Sequence, residues 1–397
     1  MEVIQGKIDC QPEETGYDSS RITVLNDKLQ DMTERKLIHG ASYCISHKGK
    51  VIAHGGIGSG NAATENVPMK PDTVFRIASI TKVFTATAIM QLVEDGKIRL
   101  DTPVGEILPP FTNGPFKEIT IMHLLTHTSG LYPDENCFPE RYPKEPWELI
   151  NSAYDYYKKS GKEGEFDWIS TGISSGLRVP VGTQWQYCTF GFVLLGEIIS
   201  RVSGKFVHDY IEENVLRPLQ MKDSGFSHAP HMAKRAFIWD KEDEKCMAEL
   251  AAGTWKAEES IWDKIPSTGG GMKSTVYDLV RFGNAFVYNG RLEGSRILGR
   301  KAVEKMGTIQ LHNIPDYCWG AKEENRLYGV GFDMRQGPAY TYSEGTIMHE
   351  GAGACSLDID PKEELVAAWF VPFRIVEWGW SAEPLYNVQN IIWSGLI

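Results

Sequence analysis

The chain has 397 residues, is 42% hydrophobic and 11% aromatic, and carries a formal net charge of −11. That is enough apolar material for a large core, so extensive disorder is not expected. No run of five basic residues occurs, which argues against the concentrated positive patch that a nucleic-acid partner requires.

The N-terminal stretch MEVIQGKIDCQPEETGYDSS lacks the basic start and apolar run of a signal peptide. Ser19 or Ser20 is the expected N-cap of a helix reaching about Lys36, because Ile22, Leu25, Leu29 and Met32 recur at helical spacing. Two β-rich runs then meet at Lys48-Gly49, a hairpin signal, and residues 58–72 read as loop. ITKVFTATAIMQLVEDG carries no internal Gly or Pro. It reads as a buried helix from Ser79 to Asp95, closed by Gly96. A short helix is expected over Ile121–Leu125. The stretch Tyr132–Thr183 is polar, aromatic and punctuated by Pro and Gly, an irregular excursion with one helix over Trp147–Lys159. Buried or amphipathic helices follow at Phe190–Val202 and Thr275–Tyr288, the second after Gly269-Gly270-Gly271. TIMHEGAGACSLDID and ELVAAWFVPF flank a Pro361–Glu364 turn and predict an antiparallel hairpin, and Tyr386–Ile397 a closing helix. Strands clustered at both ends predict one sheet built from both ends of the chain, with helices inserted between.

No run of about 18 apolar residues appears, so no membrane span is expected. The cysteines at 10, 44, 137, 188, 246, 318 and 355 are scattered, odd in number and form no C-x-x-C pair. They read as reduced thiols in a cytoplasmic protein.

Chemistry concentrates in three places. Ser79-Ile80-Thr81-Lys82 puts a hydroxyl and an amine on one helical face. A serine becomes nucleophilic when a base takes its proton, and a lysine serves as that base when burial lowers its pKa. Val83, Phe84 and Ala86 supply apolar surroundings. A serine opening a helix also has free backbone N–H groups to hold an oxyanion. Tyr187-Cys188-Thr189 precedes the Phe190 helix, and a tyrosine beside a Ser–Lys pair can relay a proton if that lysine acidifies its phenol. His349-Glu350-Gly351 lies in a predicted strand. Small residues there let substrate approach the backbone, with the Ala352 N–H as second oxyanion donor.

Other patterns carry less. Gly172-Ile173-Ser174-Ser175-Gly176 matches G-x-S-x-G but lacks the strand before and helix after that a nucleophile elbow needs. His123 and His127 have metal-ligand spacing without H-E-x-x-H, and His228 and His231 have only Ala and Pro between them, so no metal is expected. No phosphate-binding glycine loop follows a strand, and no cofactor is expected.

Taken in order, SITK at 79–82, YCT at 187–189 and HEG at 349–351 resemble the three active-site motifs of serine β-lactamases and penicillin-binding proteins. The similarity is closest to the class C-related branch, with its family VIII carboxylesterases, D-aminopeptidases and D,D-peptidases. FRIASITK, LLTHTSGL, GFVLLGEIISRVSG, GGGMKSTVYDLVRF and HEGAGACSLDIDP look like landmarks of the same family, and the resemblance spans residues 20–380. It implies an α/β fold of α+β type, with an antiparallel sheet flanked by helices (residues 1–76 with 264–397) beside a mostly helical domain (77–263). It also implies that Ser79 attacks a carbonyl while Lys82 and Tyr187 manage the proton. Backbone N–H groups of Ser79 and Ala352 hold the oxyanion, and water releases the acyl group. Thr189, His349 and Gly351 fall at substrate-binding positions. Two departures matter. Thr189 stands where an asparagine is usual, and His349 where a lysine is usual. Histidine is mostly neutral at neutral pH, so the grip on a β-lactam carboxylate is weakened. The expected substrate is therefore a small ester, amide or short peptide. A carboxylesterase leads, a D-aminopeptidase, D,D-peptidase or weak β-lactamase is the alternative, and a non-catalytic penicillin-recognising protein is the rival from another class. The natural substrate, the primary base and the oligomeric state are not legible here.

Overall fold

The computed structural model describes residues 2–135, 137–139, 145–256, 263–335, 339–374 and 383–397. Residues 136 and 140–144 of the expected excursion thus lie outside the described residues.

A six-stranded antiparallel sheet is assembled from both chain ends. The N-terminal part contributes β1 (Ile4–Gln5), β2 (Gly40–His47) and β3 (Lys50–Gly58). The C-terminal part contributes β4 (Ile347–Gly351), β5 (Cys355–Asp360) and β6 (Leu365–Phe370). The order is β1-β3-β2-β6-β5-β4. The two halves join where β6 pairs β2, from Leu365 opposite His47 to Phe370 opposite Ser42. The turn between β2 and β3 needs two left-handed residues, and Lys48 (φ 50°) and Gly49 (φ 72°) supply them.

Both faces of the sheet are covered, which explains strands that read as continuous apolar runs. Side chains alternate along a strand. On β6, Leu365, Ala367 and Trp369 enter one apolar cluster, with α1 (Ser20–Glu34) and α5 (Glu383–Trp393). Val366, Ala368 and Phe370 enter the other, with α2 (Thr81–Glu94), α3 (Thr189–Ser203) and α4 (Val276–Val287). Gly283 lets α4 lie close on the sheet, because a Cβ there would sit 2.4 Å from Val366 Cγ1. Two buried carboxylates tie α5 down: Asp358 accepts from Gln389 and Tyr342, and Asp360 from the Trp393 indole.

The expected helices appear near their expected limits. The excursion holds Pro146–Lys159 and a short Trp168–Gly172 helix. Because that second helix precedes Ser174, the G-x-S-x-G segment is a helix end. Ser174 spends its hydroxyl on Thr171 O at 2.7 Å. No described helix is long and apolar enough to cross a membrane.

Candidate active site

Ser79 sits in the Ala78–Ile80 turn that leads into α2. Ala78 has φ 44°, a left-handed conformation that costs a non-glycine residue about 1–3 kcal/mol. The surroundings hold the turn in place. Ile77 N–H donates to Met272 O at 3.0 Å, and the Cys355 thiol donates to Ile77 O at 3.5 Å. Strand β4 runs alongside, and the space a Gly351 Cβ would occupy is filled by Ile77 O, 2.2 Å away.

Lys82 follows one turn later and is wholly buried. Its Nζ lies 3.0 Å from Ser79 Oγ, 3.1 Å from Thr189 Oγ1 and 2.7 Å from Gly269 O. The Gly269 carbonyl comes this close because residue 269 lacks a Cβ, which would meet Thr189 Cγ2 at 2.4 Å. Burial pushes the lysine pKa down to about 8, while Asp134 pulls the other way. The Tyr187 ring completes the group, its centroid 4.7 Å from Lys82 Nζ. This phenol is not acidified as the sequence reading required. Burial first, and Asp134 next, hold it well above its usual value, with a hydrogen bond to Ser79 opposing them. It is therefore a proton donor at neutral pH.

These groups open into a cavity of about 310 Å³, on whose wall Ser79 and Ala352 both lie. Trp185, Tyr187, Trp319 and Tyr328 supply aromatic surface. The Trp185 indole N–H and the Tyr328 hydroxyl are buried and have no hydrogen-bond partner among the described residues.

His349 lines the cavity as expected. Its Nδ1 donates to Glu350 O at 2.7 Å, which leaves Nε2 able only to accept. Burial, then the nearby Lys82 charge, push its pKa down to about 3. The cationic anchor is thus absent across the neutral range. Two arginines that sequence reasoning missed do not replace it. Arg335 grips Glu350 with both terminal nitrogens, at 3.0 and 2.8 Å. Arg326 lies 2.8 Å from Asp333 and stacks on Trp185. The lining carries four carboxylates (Asp134, Glu135, Asp333, Glu350) against these two guanidiniums.

Two assignments need correction. Thr189 was expected to meet substrate, yet its hydroxyl is held between Lys82 and Asp134, and it is not on the cavity wall. Gly351 is buried behind the wall. It lets β4 approach the Ser79 turn and leaves the cavity face to Ala352. Asp134 was missed altogether. Its Oδ1 accepts the Thr189 N–H at 2.6 Å and its Oδ2 the Thr189 hydroxyl at 2.5 Å. It sits in irregular chain, where no periodicity marks a position. The two spaced histidines have structural tasks: His123 Nδ1 accepts Thr120 N–H, and His127 Nδ1 accepts Cys188 N–H.

A pH prediction follows from Lys82. A base must be neutral to accept a proton, and its neutral fraction grows as pH rises through its pKa. kcat/KM for a neutral ester is expected to climb through about pH 8 and level off above it, with no limb near 6.5 because His349 has already lost its proton. A pH-rate profile from 5 to 9.5 checks this, and a flat profile contradicts it.

An antiparallel sheet backed by helices, with a serine and a buried lysine one turn apart at a helix start, defines the β-lactamase and transpeptidase-like fold class. Residues 25–372 match the family described as Beta-lactamase, and the chain belongs to that family. Protein Rv1367c of Mycobacterium tuberculosis is 28% identical over 367 residues, 86% of this chain and 88% of that one. Esterase EstB of Burkholderia gladioli is 31% identical over 212 residues, 50% of each chain. A solved family VIII carboxylesterase superposes with TM-score 0.69 over 100% of both chains at 19% identity. The family unites serine hydrolases that include esterases, D-alanyl-D-alanine peptidases and β-lactamases.

Proposed function

We propose that this protein hydrolyses small neutral carboxylic esters through an acyl-enzyme on Ser79. The observation that carries this is a buried Lys82 amine, its pKa lowered to about 8, with Nζ 3.0 Å from Ser79 Oγ. Neutral Lys82 takes the hydroxyl proton as Ser79 Oγ bonds to the carbonyl carbon. The Ser79 and Ala352 N–H groups stabilise the resulting oxyanion. The Tyr187 phenol protonates the departing alkoxide and is recharged from the lysine. Water then cleaves the acyl-enzyme with the same groups working in reverse.

Ester preference is supported by charge. Among the described lining residues, neutral His349, guanidiniums already paired and surplus carboxylates leave no free cation for the carboxylate of a β-lactam. The exposed Glu135 carboxylate on the wall favours a second reading, an aminopeptidase that binds a substrate ammonium. The seven free thiols favour a reducing, cytoplasmic setting.

The test has two parts. A serine-directed fluorophosphonate is expected to label Ser79, and Ser79→Ala to abolish the label. Labelling that persists in the alanine variant removes the proposal. A panel of p-nitrophenyl esters, D-amino-acid amides, D-Ala-D-Ala peptides and a chromogenic cephalosporin is expected to rank neutral esters first. D-amino-acid amides in first place select the aminopeptidase reading, and stoichiometric acylation without turnover a penicillin-recognising protein.

A further inference from the structure

We infer that Asp134 is a positioning residue that acts through Thr189 to turn the lone pair of Lys82 toward Ser79. This deepens the proposed function and rests on its assignment of Lys82 as base.

The argument is a count of donors and acceptors. A neutral lysine amine has two hydrogens and one lone pair. Among the described residues, Lys82 Nζ has three hydrogen-bond partners within 3.1 Å: Ser79 Oγ, Thr189 Oγ1 and Gly269 O. To act as base, the amine must spend its hydrogens on the last two and keep its lone pair for the serine hydroxyl. Gly269 O is a carbonyl and can only accept, which settles one hydrogen.

Thr189 is the ambiguous member. A lone threonine hydroxyl can accept from Lys82 or donate to it, and a donating Thr189 would occupy the lone pair and disarm the base. Asp134 removes the ambiguity. Its Oδ2 lies 2.5 Å from Thr189 Oγ1 and takes that hydroxyl's only hydrogen. Thr189 Oγ1 can then only accept from Lys82. One arrangement remains, in which Ser79 donates to Lys82.

Three features hold Asp134 to this role. Its Oδ1 accepts the Thr189 N–H at 2.6 Å, so the carboxylate cannot rotate without losing a bond. That N–H belongs to the first turn of α3, whose N-cap, Cys188, makes no side-chain cap, so the carboxylate meets the positive helix end. Asp134 N–H donates to Tyr187 O at 2.8 Å, which ties the carboxylate to the segment that carries the phenol. Burial raises the Asp134 pKa above the usual carboxylate value, and Lys82 and the two Thr189 hydrogen bonds oppose it in favour of the charged form.

Asp134→Asn separates this role from mere packing. The asparagine carbonyl oxygen is held by the Thr189 N–H, so its NH2 faces Thr189 Oγ1 and donates. The threonine hydrogen then turns onto Lys82. kcat/KM for a neutral ester is expected to fall about 10- to 100-fold, the effect of one misdirected buried hydrogen bond. Loss of the negative charge also removes the largest influence that raises the lysine pKa, so the ascending limb is expected below its wild-type position near pH 8. Adding Thr189→Asn offers Lys82 an amide carbonyl, an acceptor that needs no help, and is expected to restore at least about tenfold of the loss. Thr189→Val, which keeps Asp134 and deletes the acceptor, is expected to lose activity similarly and serves if Asp134→Asn does not fold. All variants are read by pH-rate profile after thermal unfolding confirms the fold.

Asp134→Asn activity within threefold of wild type overturns the inference. So does a loss of activity with an unmoved pH limb and no rescue by Thr189→Asn, and so does a fully active Thr189→Val. Fluorophosphonate labelling of wild-type Ser79 stands apart: if it fails, the hydrolase reading has failed, whatever Asp134 does.

Discussion

Replacing Lys82 with alanine is expected to lower kcat/KM for a neutral ester by about 100- to 10,000-fold, the usual contribution of a positioned general base. Lys82 makes no exposed salt bridge whose loss would unfold the protein. Its side chain is 0% exposed and, among the described residues, its amine bonds only to Ser79, Thr189 and Gly269. The alanine variant therefore loses chemistry more than structure. It leaves a small cavity and the Gly269 carbonyl without its donor, costs of a few kcal/mol at most. Cooperative unfolding with slow turnover and slow fluorophosphonate labelling is the expected outcome, measured by calorimetry and single-turnover kinetics. Wild-type turnover in this variant removes Lys82 from the mechanism, and the pH limb near 8 would then need another owner.

Gly351→Ala is expected to cut kcat/KM by about 100-fold, with only about 1–3 kcal/mol lost in stability. The added methyl would lie 2.2 Å from Ile77 O and 2.5 Å from Cys355 Sγ, and the first of these is backbone that cannot swing aside. Relief comes from moving β4 away from the Ser79 turn. Ala352 is next to residue 351 and Ser79 two residues beyond Ile77, so this movement separates the two proposed oxyanion donors. Gly164→Ala is a fitting control, since nothing lies within 4 Å of its added Cβ. Steady-state kinetics on both variants check the contrast. Equal activity in the two shows that β4 can yield without disturbing the site.

The proposed pairing of a nucleophile and a base was readable because its key relation is local. A spacing of three on a helix brings Ser79 and Lys82 together whatever the rest of the chain does, and the apolar run beyond Lys82 announced its burial. The hairpin at Lys48-Gly49 and the turn at Pro361–Glu364 were legible for the same reason, since turn chemistry is local. Thr189 and Gly351 were expected to meet substrate, and the structure sets each beside a partner distant in sequence. Each belongs to a motif whose sequence shows the residue and hides its neighbour: Asp134 lies 55 positions before Thr189, and Ile77 meets Gly351 across most of the chain. The arginine cluster was invisible because Arg326, Asp333, Arg335 and Glu350 follow no helical or strand period.

The sequence alone determined the local devices: which hydroxyl has an amine one turn away, which segments form the helices and hairpins around the site, and that strands at both ends seek one another. Tertiary structure alone decided the charge state and direction of the site. Whether His349 carries a proton, which way the Thr189 hydrogen points and whether an arginine is free depend on burial and on partners distant in sequence. Those energies exist only once the chain has excluded water and closed its long loops.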